Sequence, residues 1–270
     1  MPPLIPDIDR VSTAIAEVAS AEIMPRFRNL AAGDIRKKPG DETVTIADEA
    51  AEQALTRRLQ DLLPGSLVVG EEAVAEDDGV LAHLAGDQPV WVIDPIDGTR
   101  NFANGKADFG VMVALVRRDE IIAGWIHNPV TGRWLTAELG AGARHDGAKL
   151  TAPPPPADLA LTGSVSFLFF PEPRRERLRA KVKAMLPAPA DRGCIARQYG
   201  DIALGRQHFG FYRNMKPWDH LAGALIVSEA GGRVAKWDGS DYRPRDTEGG
   251  ILAAASPELW TRVRAFLADA

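Results

Sequence analysis

The chain has 270 residues, 45% hydrophobic and 26% charged, with a formal net charge of -5. That balance fits a globular protein of one large domain or two small ones, and it excludes a basic footprint for nucleic acid or a polybasic membrane patch. The single cysteine, Cys194, excludes an internal disulfide and argues for a reducing, cytoplasmic compartment. Met1 to Arg10 has no apolar core and does not read as a signal peptide, and no apolar run approaches membrane-spanning length.

Taken in chain order, Asp7 to Leu30 reads as a long helix, with Ile8, Val11, Ile15, Val18, Ile23 and Met24 on one stripe and Gly33 as its stop. Ile35 to Glu42 is a charged loop. Val44-Thr45-Ile46-Ala47-Asp48 leads into a second helix whose stripe includes Ala51, Leu55, Leu59 and Leu62, ended by Pro64-Gly65. Ser66 to Gly70 is a short strand before Glu71-Glu72, and Glu76 to Gly86 reads as an acidic, solvated connection or a flap. Phe109 to Val116 and Ile121 to Ile126 form a hairpin across Arg117 to Glu120, and Arg133 to Ala137 is a third strand. Pro153 to Pro156 reads as a linker that divides two subdomains or as a surface loop. In the second half, Leu161 to Val165 and His208 to Tyr212 read as strands. Glu172 to Met185, Gln198 to Gly205, Pro217 to Ala230 and Pro257 to Ala268 read as helices, and Gly250 to Ala254 as a buried strand. We take residues 1–270 as one domain, with a division into an α+β half over 1–150 and an α/β half over 158–270.

The organising stretch is Trp91-Val92-Ile93-Asp94-Pro95-Ile96-Asp97-Gly98-Thr99-Arg100-Asn101-Phe102. The apolar run from Val90 to Ile93 predicts a buried strand. Pro95 fixes its own φ and pushes Asp94 into an extended conformation, so Asp94 and Asp97 can converge at the strand's carboxyl end. Two such carboxylates repel unless a cation lies between them, and hard oxygen ligands suit Mg²⁺. Gly98 and Thr99 would open a helix whose free N–H groups favour an anion. A cation site beside an anion site suits phosphate chemistry, although Asp-Pro and Asp-Gly also mark ordinary turns. The histidines show no zinc spacing, and no cysteine-based phosphate loop or acidic nucleophile motif is visible. Direct attack by water is thus the simplest mechanism, with Mg²⁺, or Mn²⁺ as its substitute.

Further blocks join this stretch. Gly70-Glu71-Glu72, the Trp91 to Phe102 block, Trp218-Asp219 with Ala222-Gly223, and Glu229-Ala230-Gly231-Gly232 together resemble the inositol monophosphatase family. Val44-Thr45 with Asp48 is similar to its N-terminal motif, and Lys37 stands where that family often has a lysine. The resemblance implies a layered α/β sandwich of alternating helices and sheets, usually a homodimer, and a lithium-sensitive phosphatase using two or three Mg²⁺ ions on a small phosphorylated metabolite. It implies Glu71, Asp94, Asp97, Asp219 and the Ile96 carbonyl as metal ligands. It implies Glu71 and Thr99 as the pair that positions water, Asp48 as the partner of the Thr99 hydroxyl, and Gly98 and Thr99 N–H groups as phosphate donors.

Plainer roles stand beside these: Asp48 and Asp219 as helix caps, and Glu71 as a surface residue. His220 reads as a local contact. The pattern departs from the family on the substrate side. Tyr212, followed by Arg213, takes the place of a glutamate that contacts sugar hydroxyls, and Gly193-Cys194-Ile195-Ala196 replaces a turn that usually holds serine or threonine. Tyr212, Arg213 and Lys216 suit a different or larger phosphorylated ligand. Histidinol phosphate, fructose 1,6-bisphosphate and 3'-phosphoadenosine 5'-phosphate, which relatives cleave, are therefore the alternatives to inositol monophosphate. A role as a non-catalytic partner of transcription machinery is the reading from a different class.

Overall fold

A computed structural model describes residues 5–38, 40, 42–153, 161–185 and 193–268. Helix α1 (Ile8–Val18) is capped by Asp7, whose carboxylate accepts from the N–H groups of Asp9 and Arg10. It passes into a π-helical turn, Ala19–Ile23, and stops there rather than at Leu30. Pro25 is the reason, since it offers no N–H and disfavours helix at the residue before it. Strands β1 (Ile35–Lys37) and β2 (Thr43–Thr45) pair antiparallel where the sequence suggested a loop. Helix α2 (Ile46–Leu62) follows, then β3 (Leu67–Gly70) and α3 (Glu71–Glu76). Asp78–Ala85 is solvated along Asp78, Gly79, Ala82 and Ala85 but is not irregular. It forms 3-10 turns that bury Leu84 and pack Val80 and Leu81 against the core.

Strand β4 (Val90–Asp97) carries the organising stretch, and α4 (Thr99–Ala103) follows it. Then come β5 (Gly110–Arg117), β6 (Glu120–Asn128), β7 (Arg133–Glu138), β8 (Gly142–His145) and β9 (Ala148–Leu150). They complete a seven-stranded sheet in the order β3-β4-β5-β6-β7-β8-β9, antiparallel except for the β3/β4 pair. The β5/β6 hairpin turns on Arg118 and Asp119, both with positive φ.

The rest builds a second sheet from β10 (Gly163–Val165), β11 (Phe209–Tyr212), β12 (Arg233–Lys236) and β13 (Ile251–Ala254), in the order β10-β11-β13-β12. Its helices are α5 (Arg174–Met185), α6 (Ile195–Ala203), α7 (Pro217–Glu229) and α8 (Pro257–Ala268). The reading of Pro154 to Pro156 as linker or loop falls outside the described residues.

Strand periodicity explains the layering. On β4, Val90 and Val92 face the core shared with α6, α7 and the second sheet, while Trp91 and Ile93 face α1 and α2. The large sheet is thus buried on both faces. The layers run α1/α2, large sheet, α6/α7, small sheet, α5/α8, which is the alternating α/β architecture expected from the sequence. One consequence matters for the site. The carboxyl end of β4 lies where α2, α3, α4, α6 and α7 all begin.

Candidate active site

Between Asp94 and Asp97 the β4/β5 register slips, so Asp94 pairs with Met112 and Asp97 with Gly110. Pro95 cannot donate to the ladder, and the bulge absorbs that loss. Asp94 Oδ1 accepts the Ile96 N–H at 3.0 Å, which closes the turn around the proline. Gly98 then adopts φ 88°, a left-handed conformation that suits glycine and lets α4 start immediately after the strand. Asp94 and Asp97 are both buried.

The electrostatics show which side chains face them. Asp94 is pushed well above the ordinary carboxylate range by burial, then by the charges of Glu71, Asp97, Asp219 and Asp48. Asp219 is raised by burial and by Glu71 and Asp97, with Lys216 acting against the shift. Asp97 is raised to about 6 by burial, and its hydrogen bonds oppose the shift: Oδ2 accepts the Cys194 thiol at 2.9 Å and the Ala196 N–H at 2.7 Å. The charges of Glu71, Asp48, Asp97 and Asp219, drawn from α3, α2, β4 and α7, are thus all felt at Asp94.

A cation fits this acidic set, and the chain itself supplies two at its edges. Lys38 Nζ lies 3.2 Å from Glu71 and 2.7 Å from Glu72. Lys216 pairs with Glu42 and thereby ties the end of the β1–β2 segment to the start of α7. Lys37 is exposed on β1, so the lysine that meets Glu71 is its neighbour Lys38, whose side chain points the other way along the alternating backbone. Among the described residues, no three acidic, histidine or cysteine side chains are already drawn together as a metal cage. Of the set, Glu71 is the one that meets an ammonium group among the described residues, that of Lys38.

Thr99 opens α4, and its hydroxyl lies 3.0 Å from Asp48 Oδ1 and 2.9 Å from the Ile96 carbonyl. Asp48 also does what the plainer reading gave it. Its Oδ2 accepts the Thr45 N–H at 2.8 Å and the Thr45 hydroxyl at 2.5 Å, a capping box at the start of α2. Burial raises Asp48 to about 7. The two readings of Asp48 are thus two oxygens of one carboxylate.

On the other side, Tyr212 and Arg213 line a cavity of about 190 Å³ together with Ser164, Gln198 and Asp219. Tyr212 is buried and stacks on Tyr199 at 5.4 Å, while Arg213 is exposed. His220 is a local contact, as read from the sequence. Its ring bridges the Tyr199 hydroxyl at 3.0 Å and the Asn214 carbonyl at 2.8 Å, and burial lowers it to about 4. A larger cavity of about 470 Å³, lined by Arg133, Trp134 and Arg197, touches none of the acidic cluster.

Sequence reasoning placed Cys194 on the substrate side and missed Glu52. Cys194 instead holds Asp97 and also caps α6, its sulfur accepting the Arg197 N–H, as a serine or threonine would. Glu52 is a buried carboxylate one helical turn after Asp48. Its signal was a charge beside Ala51 and Leu55 on the apolar stripe of α2.

Fold and site together define a layered α/β protein with a buried carboxylate cluster at the end of a central strand. Residues 6–268 match the model of the inositol monophosphatase family. The chain belongs to that family, whose members are phosphatases. It is 32% identical over 210 residues to an inositol-1-monophosphatase of Mesorhizobium japonicum, covering 75% of each chain. It is 29% identical over 254 residues to the Nus factor SuhB of Vibrio cholerae, covering 92% of this chain and 90% of that one. Among solved structures, the Thermotoga maritima IMPase superposes with a TM-score of 0.78 at 25% identity, covering 97% and 99% of the two chains.

Proposed function

We propose that this protein is a Mg²⁺-dependent phosphomonoesterase acting on a small phosphorylated metabolite, inositol monophosphate or a similar sugar or polyol phosphate, by direct attack of water. The observation that carries this reading is the convergence of Glu71, Asp94, Asp97 and Asp219 beside the Thr99–Asp48 hydrogen bond. Those carboxylates and the Ile96 carbonyl would hold two or three Mg²⁺ ions, with Mn²⁺ as a substitute. Bound there, the metal would neutralise phosphate charge and lower the pKa of water.

The chain's own residues do the rest. The Thr99 hydroxyl donates its hydrogen bond to Asp48, which leaves an oxygen lone pair free to orient the attacking water beside Glu71. Gly98 and Thr99 N–H groups face the phosphate at the start of α4. Cys194 is not a nucleophile, because burial and the Asp97 charge hold its thiol well above the ordinary range and its proton points at Asp97. Tyr212 and Arg213 line the place of the substrate's remaining atoms. We propose a homodimer in the cytoplasm as the working form.

Phosphate release from a panel of phosphomonoesters, with Mg²⁺, with EDTA and with lithium against a potassium control, tests the reading. We expect release that needs Mg²⁺, vanishes in EDTA and falls in lithium. Histidinol phosphate, fructose 1,6-bisphosphate and 3'-phosphoadenosine 5'-phosphate belong in the panel, since the substrate side departs from the inositol pattern. No release from any member would favour the second reading, a non-catalytic partner of transcription machinery, supported by the likeness to a Nus factor.

A further inference from the structure

We infer that Glu52 is a positioning residue for Glu71, and that α2 sets both halves of the acidic site through Asp48 and Glu52. The inference rests on the metal site proposed above and adds a residue to its machinery. Helix α3 begins at Glu71, and its N-cap position is Gly70, which has no side chain with which to cap. The missing acceptor comes from another helix. Glu52 Oε2 accepts the Glu72 N–H and Oε1 accepts the Ala73 N–H, each at 2.8 Å. Glu52 is only 6% exposed, so these bonds are sheltered from water.

Gly70 belongs to the same device. A Cβ placed on Gly70 would lie 2.3 Å from the Glu52 carboxylate carbon, so any side chain there would displace the carboxylate. Gly70 also pairs with Ile93 on β4, one residue before Asp94. The carboxylate of Glu52 therefore fixes where α3 starts relative to the strand end. That in turn fixes where the side chain of Glu71, the first residue of the helix, points. Asp48 and Glu52 are four residues apart on α2 and share its inner face. One holds the Thr99 hydroxyl and the other holds the start of the Glu71 helix, so a single rigid element sets both parts of the site.

Groups that orient metal ligands cost about 10- to 100-fold in metal affinity when removed. The test is Glu52→Gln, which keeps volume but turns one N–H of the amide against a helix N–H. Mn²⁺ binding followed by electron paramagnetic resonance, and the Mg²⁺ concentration for half-maximal phosphate release, are compared with the parent. We expect Mn²⁺ binding to weaken about tenfold or more, the Mg²⁺ requirement to rise in parallel, and substrate KM at saturating Mg²⁺ to stay unchanged. Gly70→Ala, which leaves Glu52 in the sequence but crowds its carboxylate, should show the same pattern and stands in if the Gln variant fails to fold. Mn²⁺ affinity within twofold of the parent in a folded variant would overturn the inference and leave Glu52 as a structural cap. A parent protein that binds no Mn²⁺ would instead overturn the metal reading, and this inference with it.

Discussion

The two walls of the site are built from opposite chemistry. The wall formed by α2, α3 and the end of β4 gathers carboxylates that burial pushes upward, Asp48 and Glu52 to about 7 and Asp97 to about 6. The wall formed by α6, β11 and α7 gathers stacked rings, with Tyr199, Tyr212 and His220 in mutual contact and His220 held neutral. The first wall handles charge, and every carboxylate in it has a partner fixed by an element start. The second handles shape, and its members hold one another. Changes among the carboxylates, Asp219 at the start of α7 included, should therefore alter the rate of chemistry, while changes among the rings and Arg213 should alter which molecule is accepted.

The sharpest way to break that distinction is Asp97→Asn. The amide oxygen can still accept from Cys194 and Ala196, so the fold should persist. We expect kcat to fall on the order of 10³-fold, corresponding to a loss of several kcal/mol of metal-dependent stabilisation. An unchanged melting temperature with lost phosphate release would place the residue in the chemistry. Retained release would remove the first wall from it.

Thr99 and Asp48 come next. Thr99→Ala and Asp48→Asn should each lower kcat on the order of 10²-fold with KM little changed, since orienting groups act chiefly in the transition state. The double variant should lose less than the sum of the two free energies, because both changes break one hydrogen bond. The structure adds a split between them. Asp48 also caps α2, so its replacement should cost about 1 kcal/mol of stability that Thr99→Ala does not. Additive kinetic losses would reduce both residues to caps.

How far the sequence was legible follows the same division. The strand and turn around Asp94, Pro95 and Asp97 could be read because local rules fix them: an apolar run, a proline, then glycine. The terminal helix from Pro257 to Ala268 and the β5/β6 hairpin were legible for the same reason. What could not be read depends on residues far apart. Glu52 is polar on an apolar stripe, and only the neighbouring start of α3, 20 residues on, explains it. The sequence offered Lys37 with Lys38 as the alternative, and the pairing of β1 brings Lys38 to Glu71. Strand β12 lacks a continuous apolar run and exists because β13 offers it an edge. The long first helix was overread because periodicity continued to Met24 while Pro25 ended it.

The second wall yields a smaller prediction. Arg213 is exposed at a cavity that also holds Asp219. Arg213→Ala should raise KM about tenfold for substrates with a second anionic group, since a charge-assisted hydrogen bond of that kind contributes about 1.5 kcal/mol. For a singly phosphorylated polyol, KM should change less than threefold, and kcat should hold for both. An equal rise for both substrates would mean that Arg213 reads the transferred phosphate and that the walls are not separate in function.

The smallest expected effect is in stability, where the walls should titrate with opposite sign. Asp48 and Glu52 lie at about 7 in the folded chain against ordinary values of 3.8 and 4.5, so burial keeps their protons on. Groups raised in this way stabilise the fold at low pH, and that stability is lost as pH rises through 7. On the second wall His220 lies at about 4 against 6.5 through burial, and His127 on β6, outside both walls, is lowered in the same way. Groups lowered in this way stabilise the fold above pH 6.5, and that stability is lost as pH falls toward 4. Between pH 6.5 and 7.5 the histidines complete only the last half of their unfolded-state titration, while the buried carboxylates pass through the middle of theirs, so the carboxylates' loss outweighs the histidines' gain. Metal-free protein should therefore lose roughly half a kcal/mol over that interval. Mg²⁺ favours the ionised carboxylates, so its stabilising effect should grow with pH over the same interval. Urea unfolding at pH 6.5 and 7.5, with Mg²⁺ and with EDTA, reads both effects. In Asp48→Asn the loss in EDTA should shrink, and in His220→Asn it should not. A Mg²⁺ effect equal at the two pH values would show that the acidic wall is not where the metal and the protons compete.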